Sequence, residues 1–381
     1  MEQNQFFHLP EMIKQREHIL VIGVGGGGGN ALDHIIESGL DGVEYVAANT
    51  DSKALGLNKA PHKILLGEKL TKGRGAGADP QVGMDAAKES LDHIRQYIEG
   101  AEMAFITAGM GGGTGTGAAP IIAEVAKEMN VLVVGVVTTP FSFELKKRAV
   151  VAKEGITRLR EKVDALLVVE NDRLMDISTE KTTIAEAYKM ANEVLRQAVQ
   201  GVTDLILKPG VVNLDFADIR TIMKDSGSAI MGIGEGQGDN RAEQAAKNAI
   251  KSPLMSLSLE GAKGVLLNIE GPSNLTIVEM KKAVDIVTTT AGEEATVIWG
   301  HIENNEMSDA MRITVIATGF PESKVHHPSS EEKRPPSRPL PSIRPKLLLS
   351  ESDLQPSGEE DIFVGIRTPS DVPTYLRKNQ K

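Results

Sequence analysis

The chain has 381 residues, 40% hydrophobic and 25% charged, which suits a globular protein of two domains with a tail. It contains no cysteine, so disulfides and thiolate chemistry are excluded. A net charge of -10 argues against broad nucleic-acid binding, but not against one phosphate-rich ligand held by backbone amides.

Residues 1–17 read as a flexible extension without the apolar core of a signal peptide. No run of about 18 uncharged apolar residues predicts a membrane span. From residue 18 onward, strand-like runs alternate with helical patterns. His18–Val24, Val43–Asn49, Met103–Ala108, Val131–Thr138 and Ala165–Val169 read as buried strands. Helices are expected at Asn30–Ser38, Pro80–Ile98, Thr116–Glu128, Glu144–Leu159 and Thr183–Leu207. Repeated βα units imply a parallel, Rossmann-like sheet with helices on both faces, and ligands beyond the carboxyl ends of its strands.

From Asp215 to Phe320 the pattern reads as a smaller α/β domain. It has a helix after Asp215 and strands at Ala229–Ile233, Gly264–Ile269, Ala295–Trp299 and Ile313–Ala317. Helices lie at Arg241–Lys251 and Leu275–Thr288. Ten of the 18 prolines then fall between Pro321 and Lys381. Segments such as HHPSSEEKRPPSRPLPSIRP bury too little apolar surface to offset ordering entropy. The expected division is therefore 18–207, joined through a long central helix to 208–320, a disordered linker 321–370, and a terminal island 371–381 reading DVPTYLRKNQK.

Two glycine-rich loops carry the chemistry. Gly23-Val-Gly25-Gly-Gly-Gly28-Gly-Asn30 follows a strand and opens a helix, where the backbone can approach an anion and the helix terminus favours it. Its letters match GxGxxG, and Asp51 stands at roughly Rossmann spacing, so this loop alone leaves dinucleotide binding open. No GxxxxGK[ST] is present. The second loop, Gly111-Gly-Gly-Thr-Gly-Thr-Gly117, sits at another strand end and adds two hydroxyls. Two such loops at one sheet edge suit a triphosphate chain better than a dinucleotide.

GGGTGTG is a highly specific signature, and with it the chain resembles the tubulin/FtsZ family. The likeness runs from about Ile19 to Phe320 through GVGGGGGNA, NTD at Asn49, GRGAGADP at Gly73, TTPFSFE at Thr138, NDRL at Asn171, VQGVTDLI at Val199 and NLDFADI at Asn213. It implies a GTPase that binds GTP or GDP with Mg²⁺, and names no protein metal ligands. Gly26, Gly27, Gly28, Gly29 and Asn30, with Gly113, Thr114 and Gly115, would surround the phosphates. Gly75, Ala76 and Gly77 would close on the γ-phosphate side, with Asn49, Thr50 and Asp51 along the same edge and Thr138 and Pro140 in the TTPFSFE match.

Glu144 and Arg148 fall four apart on the expected helix, an ordinary surface ion pair by spacing. The resemblance makes them ribose and phosphate contacts, with Asn171 beside them. Leu145 replaces a glycine usual in the family, and Val169-Glu170 replaces Ile-Pro. Tyr188 and Asn192 share a helix face and resemble the family's guanine clamp, with Glu193 a competing base contact. Asp215 and Asp218 read by position as a helix cap and first-turn acid. The resemblance makes Asn213, Asp215 and Asp218 the catalytic loop. A nearly continuous helix from Asn192 to Asp215 would put the acids roughly 25–35 Å from their own guanine site.

That distance predicts a head-to-tail homopolymer, each nucleotide being completed in trans by the next copy. The implied function is a division-ring scaffold in the cytoplasm at mid-cell, beneath the inner membrane. Peptide 371–381 would dock on membrane-anchoring division proteins, with no insertion of its own and no nucleic acid. Two other readings remain: a nucleotide-binding structural protein of the superfamily with little turnover, and a dinucleotide-dependent oxidoreductase.

Overall fold

The computed structural model describes residues 17–179, 181–208, 212 and 214–321. Asn213, the linker and the terminal peptide lie outside them. The first βα unit is β1 (Ile19–Val24) and α1 (Gly25–Glu37), followed by β2 (Glu44–Asn49), α2 (Ser52–Leu57) and β3 (His62–Leu65). Helices α3 (Glu68–Thr71), α4 (Pro80–Glu89) and α5 (Leu91–Ile98) lead to β4 (Met103–Gly109), α6 (Thr114–Glu128) and β5 (Leu132–Thr139). Then come α7 (Lys146–Arg160), β6 (Ala165–Glu170), α8 (Asn171–Met175) and the long α9 (Ile184–Leu207).

These strands pair in parallel in the order β3-β2-β1-β4-β5-β6. β1 is buried along its whole length, as a central strand covered on both faces must be. Its alternate residues sort by face. Ile19 and Val21 join α1 and α9, whereas Leu20, Ile22 and Val24 join α4, α5, α6 and α7.

The second block holds α10 (Phe216–Met223), β7 (Gly227–Gln237), α11 (Arg241–Ile250), β8 (Gly264–Gly271), α12 (Ile277–Ala291), β9 (Thr296–Glu303) and β10 (Ala310–Thr318). Its strands extend the same sheet to ten, in the order β6-β7-β10-β8-β9. The join is narrow: β6 and β7 pair only through Ala165–Gly227, Leu166–Ser228 and Leu167–Ala229. β7 and β8 run antiparallel to β10. α9 underlies both halves, since its core also includes Leu266 on β8, Ile302 on β9 and Ile316 on β10. On the opposite face α11 and α12 cover Val265, Leu267, Ile313 and Val315.

Several elements differ from expectation. β7 continues four residues past Ile233 through Gly234 and Gly236, where Cβ atoms would collide with the backbone of α11. Glycine is kept there because a helix backbone approaches closely. β3 is short and flanked by Pro61 and Gly67, so its apolar run is weak. The expected Pro80–Ile98 helix is two helices that meet at Ser90, whose hydroxyl accepts from Gly67 N–H. Glu144 is not on α7 but in a 3-10 turn before it, and α9 stops at Leu207, short of Asp215.

Candidate nucleotide site

The two glycine loops meet at the carboxyl ends of β1 and β4. A Cβ on Gly25 would lie 2.8 Å from Gly115 N, and one on Gly27 would lie 3.1 Å from Gly109. Thr50 and Thr114 share a hydroxyl–hydroxyl hydrogen bond of 2.6 Å between the end of β2 and the start of α6. The Gly73–Asp79 segment closes on the same place: Gly75 N–H donates to Thr50 O at 3.0 Å, and Arg74 bridges Asp51. Ala76 lies against Gly113, where an added Cβ would be 2.8 Å away. The buried amide oxygen of Asn49 accepts from Asp51 N–H, and the Asp51 carboxylate caps α2.

The glycines divide into two sets. At Gly23, Gly28, Gly113, Gly115 and Gly117 a side chain would strike another loop or strand. Packing therefore does require most of the first run. Gly26 and Gly112 meet nothing within 4 Å. A side chain there would occupy open space over the junction of the loops, which is where an anion would rest on the backbone. Gly112 was missed in the sequence, because sequence position does not distinguish it from its neighbours. Beside the first loop a cavity of about 220 Å³ is lined by Gly26, Gly29, Asn30, Asn49 and Asn58.

The other wall comes from the ends of β5 and β6. Thr138 is buried, and its carbonyl accepts from Met110 N–H beside the second loop. After Pro140, Phe141 packs edge-on against Tyr188 with ring centroids 5.4 Å apart. Glu144 and Arg148 form the expected ion pair at 2.5 Å, with the carboxylate nearly buried and the guanidinium half exposed. Burial, with Glu144 alongside, pushes the Tyr188 hydroxyl above its ordinary value. Between Glu144 and α7, Leu145 takes φ 78 and ψ 149, a region that favours glycine, yet its side chain is 74% exposed. A leucine thus occupies a backbone conformation that glycine adopts more cheaply.

Asn171 is 3% exposed, and its Oδ1 has no hydrogen-bond partner among the described residues. A buried orphan acceptor at a strand end is where a ligand donor fits. On α9, Glu193 is already bound to Arg196 at 2.6 Å and His34 at 2.8 Å. Asn192 makes no side-chain hydrogen bond among the described residues, which leaves its amide free for a base.

Asp215 and Asp218 form a reciprocal cap on α10: Asp215 Oδ1 accepts from Asp218 N–H at 2.8 Å, and Asp218 Oδ2 from Asp215 N–H at 3.4 Å. The capping role expected from position is present, and one oxygen of each carboxylate is left over. The acids do not join the glycine loops. They follow α9, which rises about 28 Å from Tyr188 to its end at Leu207. No group of three or more His, Asp or Glu that could hold a metal occurs among the described residues.

Comparison with known proteins places the family and the fold. The family model described as "Tubulin/FtsZ family, GTPase domain" matches residues 18–179, and "FtsZ family, C-terminal domain" matches 227–321. An FtsZ dimer from M. jannaschii is 41% identical, covering 81% of this chain and 90% of that one, with TM-score 0.77. A point variant of the M. jannaschii protein gives the same identity and score over 80% and 92%. CetZ2 from Haloferax volcanii shares the fold at 23% identity, with TM-score 0.69 over 80% and 94%. With the glycine cradle and the far acids in place, these likenesses make the assignment plain: the chain belongs to the FtsZ family of tubulin-like GTPases.

Proposed function

We propose that this chain is a self-assembling GTPase of cell division whose copies stack head to tail, with each GTP in the joint and hydrolysis completed by the next copy. The length of α9 carries this reading: it puts about 28 Å between Tyr188 and the helix end that leads to the acids, too far for one copy to use both on one nucleotide. A contact that places one copy's acids over another's cradle is heterologous, so it propagates as a filament.

In this reading 18–207 binds GTP and 208–320 activates its neighbour. Gly26–Asn30 and Gly112–Gly115 hold the phosphates through backbone amides. Asn49, Asp51, Thr138 and Pro140 line the edge, and Gly75, Ala76 and Gly77 close the γ side. Glu144 and Asn171 take ribose, Arg148 takes phosphate or ribose, and Tyr188 and Asn192 take guanine by stacking and an amide bond. Asp215 and Asp218, with Asn213, orient water at the neighbour's γ-phosphate. Mg²⁺ bound to the phosphates would offset their charge.

Exposed apolar side chains at both ends support the contact. Phe143, Leu145 and Tyr188 stand beside the cradle, and Ile277 and Val278 stand beside the acid end, where Ile277 and Val212 line one groove. No helix among the described residues is long and apolar enough to cross a membrane. We place the filaments at the mid-cell membrane through peptide 371–381 and an anchoring partner.

The test mixes Asp218→Ala subunits with subunits carrying Gly26→Trp, which blocks the cradle. Each variant alone should release little phosphate from GTP, and the mixture should recover a measurable fraction. No recovery in a mixture shown by light scattering to co-assemble would sink the trans model.

A further inference from the structure

A cleft of about 820 Å³ lies at the opposite end of the sheet from the β1–β6 cradle. It spans the narrow join between the two halves, with Arg160 from the end of α7 on one side. Lys224 after α10, Ser228 on β7, Lys263 before β8 and Thr296 on β9 lie on the other. Three cations face it, in a chain of net charge -10. None of the three has an ion pair among the described residues. The one carboxylate in the lining, Asp225, is bound to Lys127 at 2.8 Å and also feels the charge of Lys224.

Arg160 is the informative member. It is half-buried, and its Nε has neither a hydrogen-bond partner among the described residues nor solvent contact. Burial pushes this guanidinium below its ordinary value. Desolvating a cation without a counter-charge is costly, so such a group calls for an anion. Helix dipoles give a competing account, since Arg160 and Lys224 stand at helix C-termini, which favour cations. They do not explain Lys263, which precedes a strand.

The geometry points to a binding site for a small phosphate monoester, its phosphate held by Arg160, Lys224 and Lys263 and its hydroxylated body lodged against Ser228 and Thr296. The cleft is several times larger than a bare phosphate, which is why an ester fits it better than the inorganic ion. Because its cations come from both sides of a three-residue strand pairing, the bound ligand would also brace β6 against β7.

The experiment uses the full chain saturated with GDP in phosphate-free buffer. It measures binding of glycerol 3-phosphate and of inorganic phosphate by calorimetry at fixed ionic strength, with glycerol as the neutral control. Saturable one-to-one binding of glycerol 3-phosphate is expected, tighter than inorganic phosphate, with none for glycerol. Each of Lys263→Glu and Lys224→Glu should weaken it by about tenfold or more, the worth of one charge-assisted hydrogen bond. Lys88→Glu, on exposed α4, should leave it unchanged. Phosphate resting at the γ position of the GDP-filled cradle would be insensitive to Lys263→Glu, and that result would overturn the site. Equal affinity for both anions would overturn the ester. The outcome does not depend on whether the chain assembles.

Discussion

The two ends of α9 are built by different physics. At the cradle end, main chain meets main chain: glycines let β1, β4, α1 and α6 approach until no Cβ fits between them. At the acid end, charged side chains organise the fold. Arg241 is buried and bonds Glu279 at 2.7 Å, Asn274 at 3.0 Å and Asp309 at 3.4 Å, tying the starts of α11 and α12 to the turn before β10. The contrast follows from what each end touches. Under the proposed function a phosphate cradle needs rigid amides, whereas an end that would offer carboxylates to another copy must keep those oxygens exposed.

The sharpest way to break this comparison is Asp218→Ala. Turnover of GTP should fall by about 10³-fold, measured as phosphate release, while GDP affinity stays within about twofold and stability drops by only about 1 kcal/mol for the lost cap. An equal loss of binding would place the acid at its own nucleotide. Next in size is Gly28→Ala, whose methyl would collide with the Thr107 carbonyl oxygen. It should cost about 3 kcal/mol or more in urea unfolding, and a smaller cost would mean that the cradle backbone yields.

Arg241→Gln probes the other end. Leaving Glu279 without its guanidinium should cost about 3 kcal/mol. The Arg241 hydrogen bond holds the Glu279 carboxyl at about 2, against an ordinary 4.5. Because the folded value is the lower one, this stability is fully present above about pH 4.5 and is lost as pH falls toward 2. The wild type should therefore weaken across that window, and Arg241→Gln should show a flatter acid limb.

Gly26→Ala and Gly112→Ala sharpen the cradle. Each methyl points into open space, so unfolding stability should hold within about 1 kcal/mol, while GTP affinity falls by about tenfold, read by calorimetry. A loss of stability without a loss of affinity would reassign these two glycines to packing. The smallest effect is Leu145→Gly. Relief of a glycine-type backbone should raise stability by about 1 kcal/mol, partly offset by the freer unfolded chain, and a decrease would show that the exposed leucine is held by contacts within the subunit.

Much of this was legible in the sequence because it is local. Buried β runs such as Ile19–Val24, the 3.6-residue pattern of α9 and the Asp215–Asp218 spacing each depend on neighbours in the chain. GGGTGTG carried the family likeness for the same reason, since its letters are contiguous in the chain. Tertiary structure decided what neighbours cannot report. It separated Gly26 and Gly112, which are open, from Gly28 and Gly117, which strands and helices crowd. It extended β7 through glycines that α11 presses upon, split α4 from α5 where Gly67 reaches Ser90, and drew both blocks into one sheet through three residue pairs. A glycine, a serine or an edge strand has the same local preferences wherever it stands, and only the elements folded against it fix its role.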